Sequence, residues 1–236
     1  MIVVHHLDHS RSLRILWLLE ELGVPYEVER YERMPDYQAP PSLLNVHPLG
    51  KSPVIEDKDE GLVLAESNAI ISYILSKYGE KPNLSSEGAL DDLYYMHYAE
   101  STLMPLIVVW QRLRRFGNRT PWYFRPIFQY VLGSYRKMYV DLELKKNSDM
   151  IEKHLIDHSW FARGSDEPTA ADYAMIIGLE GLYLGKAVDS QTHPRIVEYV
   201  KKVHARPAYQ SIDMSVQGVK KSREFAFAKE VDTVEK

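Results

Sequence analysis

A small α/β domain followed by a larger all-helical domain is the fold class this sequence predicts. Three observations predict it. Two short runs suited to buried strands, residues 2–7 and 26–31, flank an amphipathic run at 11–22, the pattern of a βαβ unit. A stretch beginning Gly79-Glu80-Lys81-Pro82-Asn83 then reads as a linker over 79–88. Beyond it apolar residues recur at helical spacing, and no segment carries a convincing strand pattern.

The elements follow in order. Within 11–22, Ile15, Leu18, Leu19 and Leu22 fall three and four apart and form one apolar face. Gly23 stops this helix and Val24-Pro25 turns the chain. In 26–31, Tyr26 and Val28 alternate with outward charges, as in a half-buried strand, and a right-handed crossover makes it parallel to the first. Residues 32–52, with Pro35, Pro40, Pro41 and Pro48, are irregular apart from one helical turn near 41–46. Strands at 53–56 and 61–64 flank a polar hairpin turn, and a helix over 66–78 puts Ile70, Ile71, Ile74 and Tyr78 on one face. The order βαβ-α-ββα is that of a thioredoxin-like domain.

The second half predicts helices at 89–116, 122–146, 149–157, 169–184, 194–204 and 207–214. Breaks are expected at Gly117-Asn118, Asn147-Ser148, Gly164-Ser165, Thr192-His193-Pro194 and Arg206-Pro207. Thr169 and Asp172 form a capping box before Met175-Ile176-Ile177-Gly178-Leu179, so that helix is expected at the centre of its domain. The expected division is 1–79 for the α/β domain, 88–225 for the helical one and 226–236 as a flexible tail.

Composition narrows the function. A chain of 236 residues, 45% hydrophobic and 26% charged, can bury a sizeable core. A net charge of −4 gives no reason to expect a nucleic-acid partner; the densest basic cluster, Arg112, Arg114, Arg115 and Arg119, reads as a solvated helix end. There is no cysteine, which excludes disulfides, thiolate metal sites and a cysteine nucleophile. No apolar run approaches a transmembrane length, and Met1-Ile2-Val3-Val4-His5-His6 lacks the features of a signal peptide, so a cytoplasmic protein is expected. No metal site is expected either: His5 and His6 point to opposite faces of a strand, and His154 and His158 lack a third ligand.

Two segments carry candidate chemistry. In Leu49-Gly50-Lys51-Ser52-Pro53-Val54-Ile55 a proline at the mouth of a strand can hold a cis bond and turn backbone groups outward. In Glu66-Ser67-Asn68-Ala69-Ile70 an acid and a hydroxyl open a helix whose free N–H groups attract a carboxylate. Together they make a pocket for a small, extended, charged peptide. Ser10 and Ser12 lie where the first strand hands over to the first helix, as caps or as hydrogen-bond donors to a ligand.

These phrases, with His5-His6-Leu7-Asp8-His9-Ser10-Arg11-Ser12, Trp17-Leu18-Leu19-Glu20-Glu21-Leu22 and Ala39-Pro40-Pro41, resemble the cytosolic glutathione transferases, most of all a fungal and bacterial serine-type branch. The resemblance covers about the first 80 residues and returns at the capped helix near residue 168. It implies a thioredoxin-like domain joined to a helical bundle, and a transferase that conjugates reduced glutathione to hydrophobic electrophiles in detoxification, with glutathione-dependent peroxide reduction as a further activity. A non-catalytic glutathione or hydrophobic-ligand carrier on the same fold is the alternative. No cofactor beyond the co-substrate is implied, and the partner is a second copy of the chain.

The resemblance also distributes roles. Aligning the family's helix-opening arginine with Arg14 places the thiolate donor at Ser10, with Ser12 as the other hydroxyl. A free thiol titrates near 8.5, and lowering it by about two units takes ~2.7 kcal/mol of preferential stabilisation of the anion, within reach of a hydroxyl and helix N–H groups. Ser52, before Pro53, would pair through its backbone with the cysteinyl unit; relatives carry an apolar residue here, a departure backbone pairing tolerates. Lys51 and Gln38 would meet the glycyl carboxylate, Glu66 the γ-glutamyl ammonium, and Ser67 the α-carboxylate. Tyr94, Tyr98, Trp110, Arg114 and Tyr123 are candidates for the electrophile pocket, with core packing as the alternative for the aromatics.

Overall fold

The first strand, β1 (Ile2–Leu7), is buried at all six positions because it has a neighbour on each edge. It pairs parallel with β2 (Tyr26–Tyr31), from Ile2 opposite Tyr26 to Leu7 opposite Tyr31, and antiparallel with β3 (Val54–Asp57). A hairpin adds β4 (Leu62–Ala65), giving the sheet order β2-β1-β3-β4. The computed structural model describes the backbone of residues 1–119 and 122–215 and the side chains of 1–113 and 122–212. β3 starts one residue later than expected, after Pro53, which has no N–H to give to a ladder.

Helix α1 (Leu13–Glu21) joins β1 to β2. The sequence predicts one apolar face; the helix instead buries every residue from Leu13 to Leu19, Arg14 included. The sheet lies on one side of it, and two helices of the second half lie on the other. A turn of 3₁₀ helix at Pro41–Asn45 and then α2 (Ser67–Tyr78) complete the α/β half.

The second half contains α3 (Ser86–Tyr98), α4 (Met104–Arg119), α5 (Arg125–Tyr135), α6 (Asp141–Asp157), α7 (Ala170–Leu184), α8 (Pro194–His204) and α9 (Pro207–Ser215). Helix α3 begins three residues before the expected 89, because the Ser85 hydroxyl accepts the Gly88 N–H at 3.0 Å and caps it. π-helical turns at Ala99–Leu103 and Arg136–Val140 carry α3 into α4 and α5 into α6. The expected break at Gly117-Asn118 lies inside α4, two residues before its end.

The break expected at Asn147-Ser148 is absent, and α6 runs straight through it. The Asn147 amide donates to the Glu143 carbonyl at 2.7 Å, its oxygen accepts from the Tyr98 hydroxyl, and Ser148 is buried. The Asn147 side chain, which would otherwise compete with the helix, is thus satisfied both inside it and by its neighbour. The tail expected at 226–236 lies outside the described residues.

Helix α7 is the axis of the second half, buried along nearly its whole length and packed by α1, α2, α3 and α8. Gly178 lets the chain approach closely: a Cβ there would meet Leu103 Cδ2 at 2.7 Å. One continuous apolar core spans both halves, with Trp17 of α1 at 4.6 Å from Tyr173 and 5.8 Å from Tyr209, ring centre to ring centre. The Arg206 guanidinium grips both carboxylate oxygens of Glu21 and reaches Glu167 at 2.7 Å, fastening the end of α1 to the start of α9.

The start of α7 is held by Asp172. Its carboxylate accepts from the Thr169 N–H (2.8 Å), the Thr169 hydroxyl (3.0 Å), the Phe161 N–H (3.1 Å) and the Tyr199 hydroxyl (2.7 Å). Burial pushes its carboxyl up to about 6 even though all four donors favour the anion. Asp172→Ala strands those donors in the core. It should lower the unfolding free energy by about 3 kcal/mol, read as a reduced urea midpoint at unchanged slope. A loss of less than about 1 kcal/mol would contradict this account of the helix start.

Candidate functional site

Sheet register gathers the candidate residues at one end of the molecule. Val54 pairs with both His5 and Ala65. The chain just before Val54 (Lys51, Ser52, Pro53), the chain just after Ala65 (Glu66, Ser67) and the turn that follows β1 (Asp8 to Ser12) therefore emerge side by side. The Ser52–Pro53 bond is cis and Pro53 is buried; Ser52 is partly buried, and Lys51 is exposed.

Three serines meet there. Ser10 Oγ lies 2.6 Å from Ser12 Oγ and 3.2 Å from Ser52 Oγ. The Ser52 hydroxyl donates to the His5 carbonyl at 2.8 Å and accepts the Leu7 N–H at 3.2 Å, which pins it to β1. Ser12, the residue before α1, makes no side-chain cap; its hydroxyl turns inward to His6 Nδ1 at 2.8 Å. Ser12 is fully buried and His6 is 3% exposed, whereas Ser10 is partly exposed. The structure thus sets the two hydroxyls apart, Ser12 turned into the core and Ser10 towards the cleft.

Glu66 adopts φ 72°, ψ 116°, a region that a residue with a Cβ seldom occupies. Its side chain is exposed and caps nothing. Ser67 follows as the first residue of α2 and is 5% exposed. Buried Asp57 of β3 moors this helix: it accepts Tyr73 OH at 2.7 Å, Lys77 Nζ at 2.6 Å and the Asp59 N–H at 3.1 Å.

Sequence reasoning missed Arg33. Its guanidinium donates to the carbonyls of Asp8 (2.8 Å), His9 (3.0 Å) and Tyr37 (2.8 Å), tying the Ser10 turn to the loop that carries Gln38. Gln38 itself is exposed, with its N–H on Asp36 Oδ1 at 3.0 Å. An arginine after a strand carries no local signal of such a role. Asp8 is also held by a bidentate grip from Arg30 (2.9 and 2.7 Å). Burial alone would raise its carboxyl, but that grip keeps it below the usual carboxylate range.

The start of α1 is tied to the second half by Glu100, which meets Arg11 at 2.8 Å and Arg14 at 2.6 Å. Arg14 is fully buried, and its Nε and Nη2 find no hydrogen-bond partner among the described residues. Burial presses its guanidinium below the ordinary arginine range, against the pull of Glu100.

The electrophile-pocket candidates divide. Tyr98 and Trp110 are each 7% exposed and belong to the continuous core, Trp110 against Gly185. Tyr94 stacks on Tyr98 at 5.8 Å with its outer face exposed, and Tyr123 is exposed. The Arg114 side chain lies outside the described residues. Among the described residues, no cluster of three or more metal-ligating side chains occurs, and no helix is long and apolar enough to cross a membrane.

Comparison with known proteins gives a consistent result. Residues 1–76 match the family model described as glutathione S-transferase, N-terminal domain. Glutathione S-transferase 3 of Schizosaccharomyces pombe is 37% identical over 214 residues, 88% of this chain and 85% of the relative. Glutathione S-transferase 1 of Saccharomyces cerevisiae is 30% identical over 217 residues, 89% of this chain and 92% of the relative. Among solved structures, a glutathione S-transferase from Actinobacillus pleuropneumoniae superposes with a TM-score of 0.71 at 29% identity, covering 96% of this chain and 97% of its own.

Asp57 yields a pH prediction for the helix that carries Glu66 and Ser67. Burial would raise its carboxyl; the hydrogen bonds from Lys77, Tyr73 and the Asp59 amide outweigh it and hold the group at about 2. The folded value lies below the unfolded one, so this stabilisation is complete above about pH 4 and disappears as pH falls towards 2. Asp57→Asn should be less stable than the parent at neutral pH. Its denaturant midpoint should fall less steeply between pH 4 and 2. Parallel stability curves for parent and variant across that window would remove Asp57 from its mooring role.

Proposed function

The chain belongs to the glutathione transferase family, and from that premise we propose that it binds reduced glutathione at the cluster formed by Ser10, Ser52, Pro53, Glu66 and Ser67 and transfers it to hydrophobic electrophiles. The backbone of Ser52 pairs with the cysteinyl unit as an added strand would, beside Pro53. Glu66 takes the ammonium of the γ-glutamyl end, and Ser67 with the N-terminal amides of α2 takes its α-carboxylate. Lys51, with Gln38 as a second partner, neutralises the glycyl carboxylate. Ser10 donates its hydroxyl hydrogen to the sulfur.

One observation carries this reading. A single cysteinyl unit must present its backbone to one partner and its sulfur to another within a side chain's reach. Ser52 and Ser10, to which the resemblance gives those two roles, stand with their hydroxyls 3.2 Å apart. The strained backbone of Glu66 supports it too, because strain is retained where a side chain has to be aimed.

The mechanism follows from the charge. The thiol releases its proton to water, and the hydroxyl of Ser10 stabilises the anion relative to the thiol. The thiolate then attacks the electrophilic carbon, forming a C–S bond as a leaving group departs with its electron pair, or as the π pair of an activated double bond shifts onto its electron-withdrawing group and the resulting anion takes a proton from water. Residues 1–79 supply the glutathione half-site. The helical region 88–225 supplies the apolar one, with Tyr94 and Tyr123 at its surface, Tyr98 and Trp110 behind them, and Arg114 as a further contributor. The working form is a homodimer in the cytoplasm, with a role in detoxification.

Calorimetric titration with glutathione tests the grip. The parent should bind, and Glu66→Ala should lose at least about tenfold in affinity, equivalent to ~1.4 kcal/mol. Ser10→Ala should keep most of the affinity and lose about tenfold or more of the turnover with an activated aryl halide at neutral pH. No binding by the parent at millimolar glutathione sinks the reading. Full turnover by Ser10→Ala removes Ser10 from the chemistry.

A further inference from the structure

The Ser10 hydroxyl has a single hydrogen, and two neighbouring hydroxyl oxygens and one backbone N–H compete with a bound sulfur for it or for its lone pairs. Ser12 Oγ is at 2.6 Å, Ser52 Oγ at 3.2 Å, and the Ser12 N–H points at Ser10 Oγ from 3.3 Å. Ser52 gives its own hydrogen to the His5 carbonyl and takes the Leu7 N–H, so towards Ser10 it can only accept, through its remaining lone pair and at the longer 3.2 Å. The direction of the short Ser10–Ser12 bond therefore decides whether Ser10 has a hydrogen to offer.

Behind Ser12 stands one group, His6, with Nδ1 at 2.8 Å from Ser12 Oγ. If Nδ1 accepts, Ser12 gives its hydrogen to the ring, Ser10 donates to Ser12, and nothing remains for the sulfur. If Nδ1 carries a proton, it donates to Ser12, Ser12 donates to Ser10, and the Ser10 hydrogen points out into the cleft. The Asp8 carboxylate, held in turn by Arg30, stands 3.9 Å from Nε2 and draws a proton to that nitrogen, so the ring that also donates from Nδ1 is the imidazolium, with a proton on each nitrogen. The file Asp8–His6–Ser12–Ser10 is fixed at its inner end, because Ser12 is fully buried and His6 nearly so. Ser12, freed from capping α1, has no other evident use for its hydroxyl.

We infer that His6 and Ser12 are positioning residues, which set a one-way run of donors from His6 Nδ1 through Ser12 to Ser10 and so aim the Ser10 hydrogen at the sulfur of bound glutathione. The inference rests on the glutathione site proposed above. The relay is a hydrogen-bond device: no covalent bond forms, and the thiol proton leaves to bulk water. A run of aligned donors strengthens its last member, since each oxygen that accepts a hydrogen becomes a better donor of its own.

The test uses two ligands on the full-length protein. Glutathione reports the state of the sulfur, through thiolate absorbance in the far ultraviolet as a function of pH. S-methylglutathione, which has no ionisable thiol, reports the peptide grip alone by calorimetry. Ser12→Ala should raise the apparent pKa of bound glutathione by about half a unit to one unit, while S-methylglutathione affinity stays within about twofold of the parent. Ser12→Thr, which keeps a hydroxyl, should restore the parent value. At the other position His6→Asn, whose amide nitrogen can donate where Nδ1 does, should stay near the parent, and His6→Leu should behave as Ser12→Ala.

The outcomes separate. A parent protein that binds neither ligand overturns the glutathione site and the relay with it. A parent that binds and ionises glutathione, with Ser12→Ala and His6→Leu showing the same bound-thiol pKa as the parent, overturns the relay alone. Equal losses of both ligands in these variants also overturn it, because they mark a structural defect rather than a misdirected hydrogen.

Discussion

One buried carboxylate sets the frame for everything else in this molecule. Asp172 gathers two donors from Thr169, the backbone N–H of Phe161 and the hydroxyl of Tyr199, and so fixes where α7 begins and how α8 lies against it. Helix α7 is then the surface on which α1, α2 and α3 come to rest. Both α1 and α2 open at the candidate site. A capping interaction in the helical half thus determines where the ends of two helices in the α/β half are held, through rigid packing of buried apolar faces.

The same arrangement explains why α1 is buried on all sides. A helix between a sheet and a helical layer has no solvent face along its middle, and its polar residues are pushed to its ends. At the C-terminal end Glu21 receives Arg206 and the Trp17 indole N–H, the latter at 2.7 Å. At the N-terminal end the hydroxyls of Ser10 and Ser12 collect. The concentration of polar groups at the mouth of the sheet is partly a product of this exclusion, and the proposed chemistry makes use of it.

Much of this was legible in the sequence where punctuation is local. The bounds of β2 and α8 coincide with expectation because Pro25, Pro194 and Pro207 mark their edges. The segments Lys51-Ser52-Pro53 and Glu66-Ser67 stand out because a proline before a strand and an acid–hydroxyl pair before a helix are short-range signals. What was not legible depends on partners distant in the chain. Asn147 and Ser148 read as helix breakers until Tyr98 supplies one of them with a partner. Arg33 looks like any loop cation until three carbonyls converge on it. The difference between Ser10 and Ser12 rests on which of them faces His6, and neither spacing nor composition encodes that direction.

The buried Arg14 has a consequence for how this chain can vary. Its guanidinium sits in the core with Glu100 as its hydrogen-bonded counter-charge, on a residue 86 positions away. Removing the acid alone strands a cation in an apolar interior, and removing the base alone leaves Glu100, among the described residues, with the half-exposed Arg11. Neither site can drift independently. Across diverging descendants the two should be inherited as a linked pair, exchanged together or kept together.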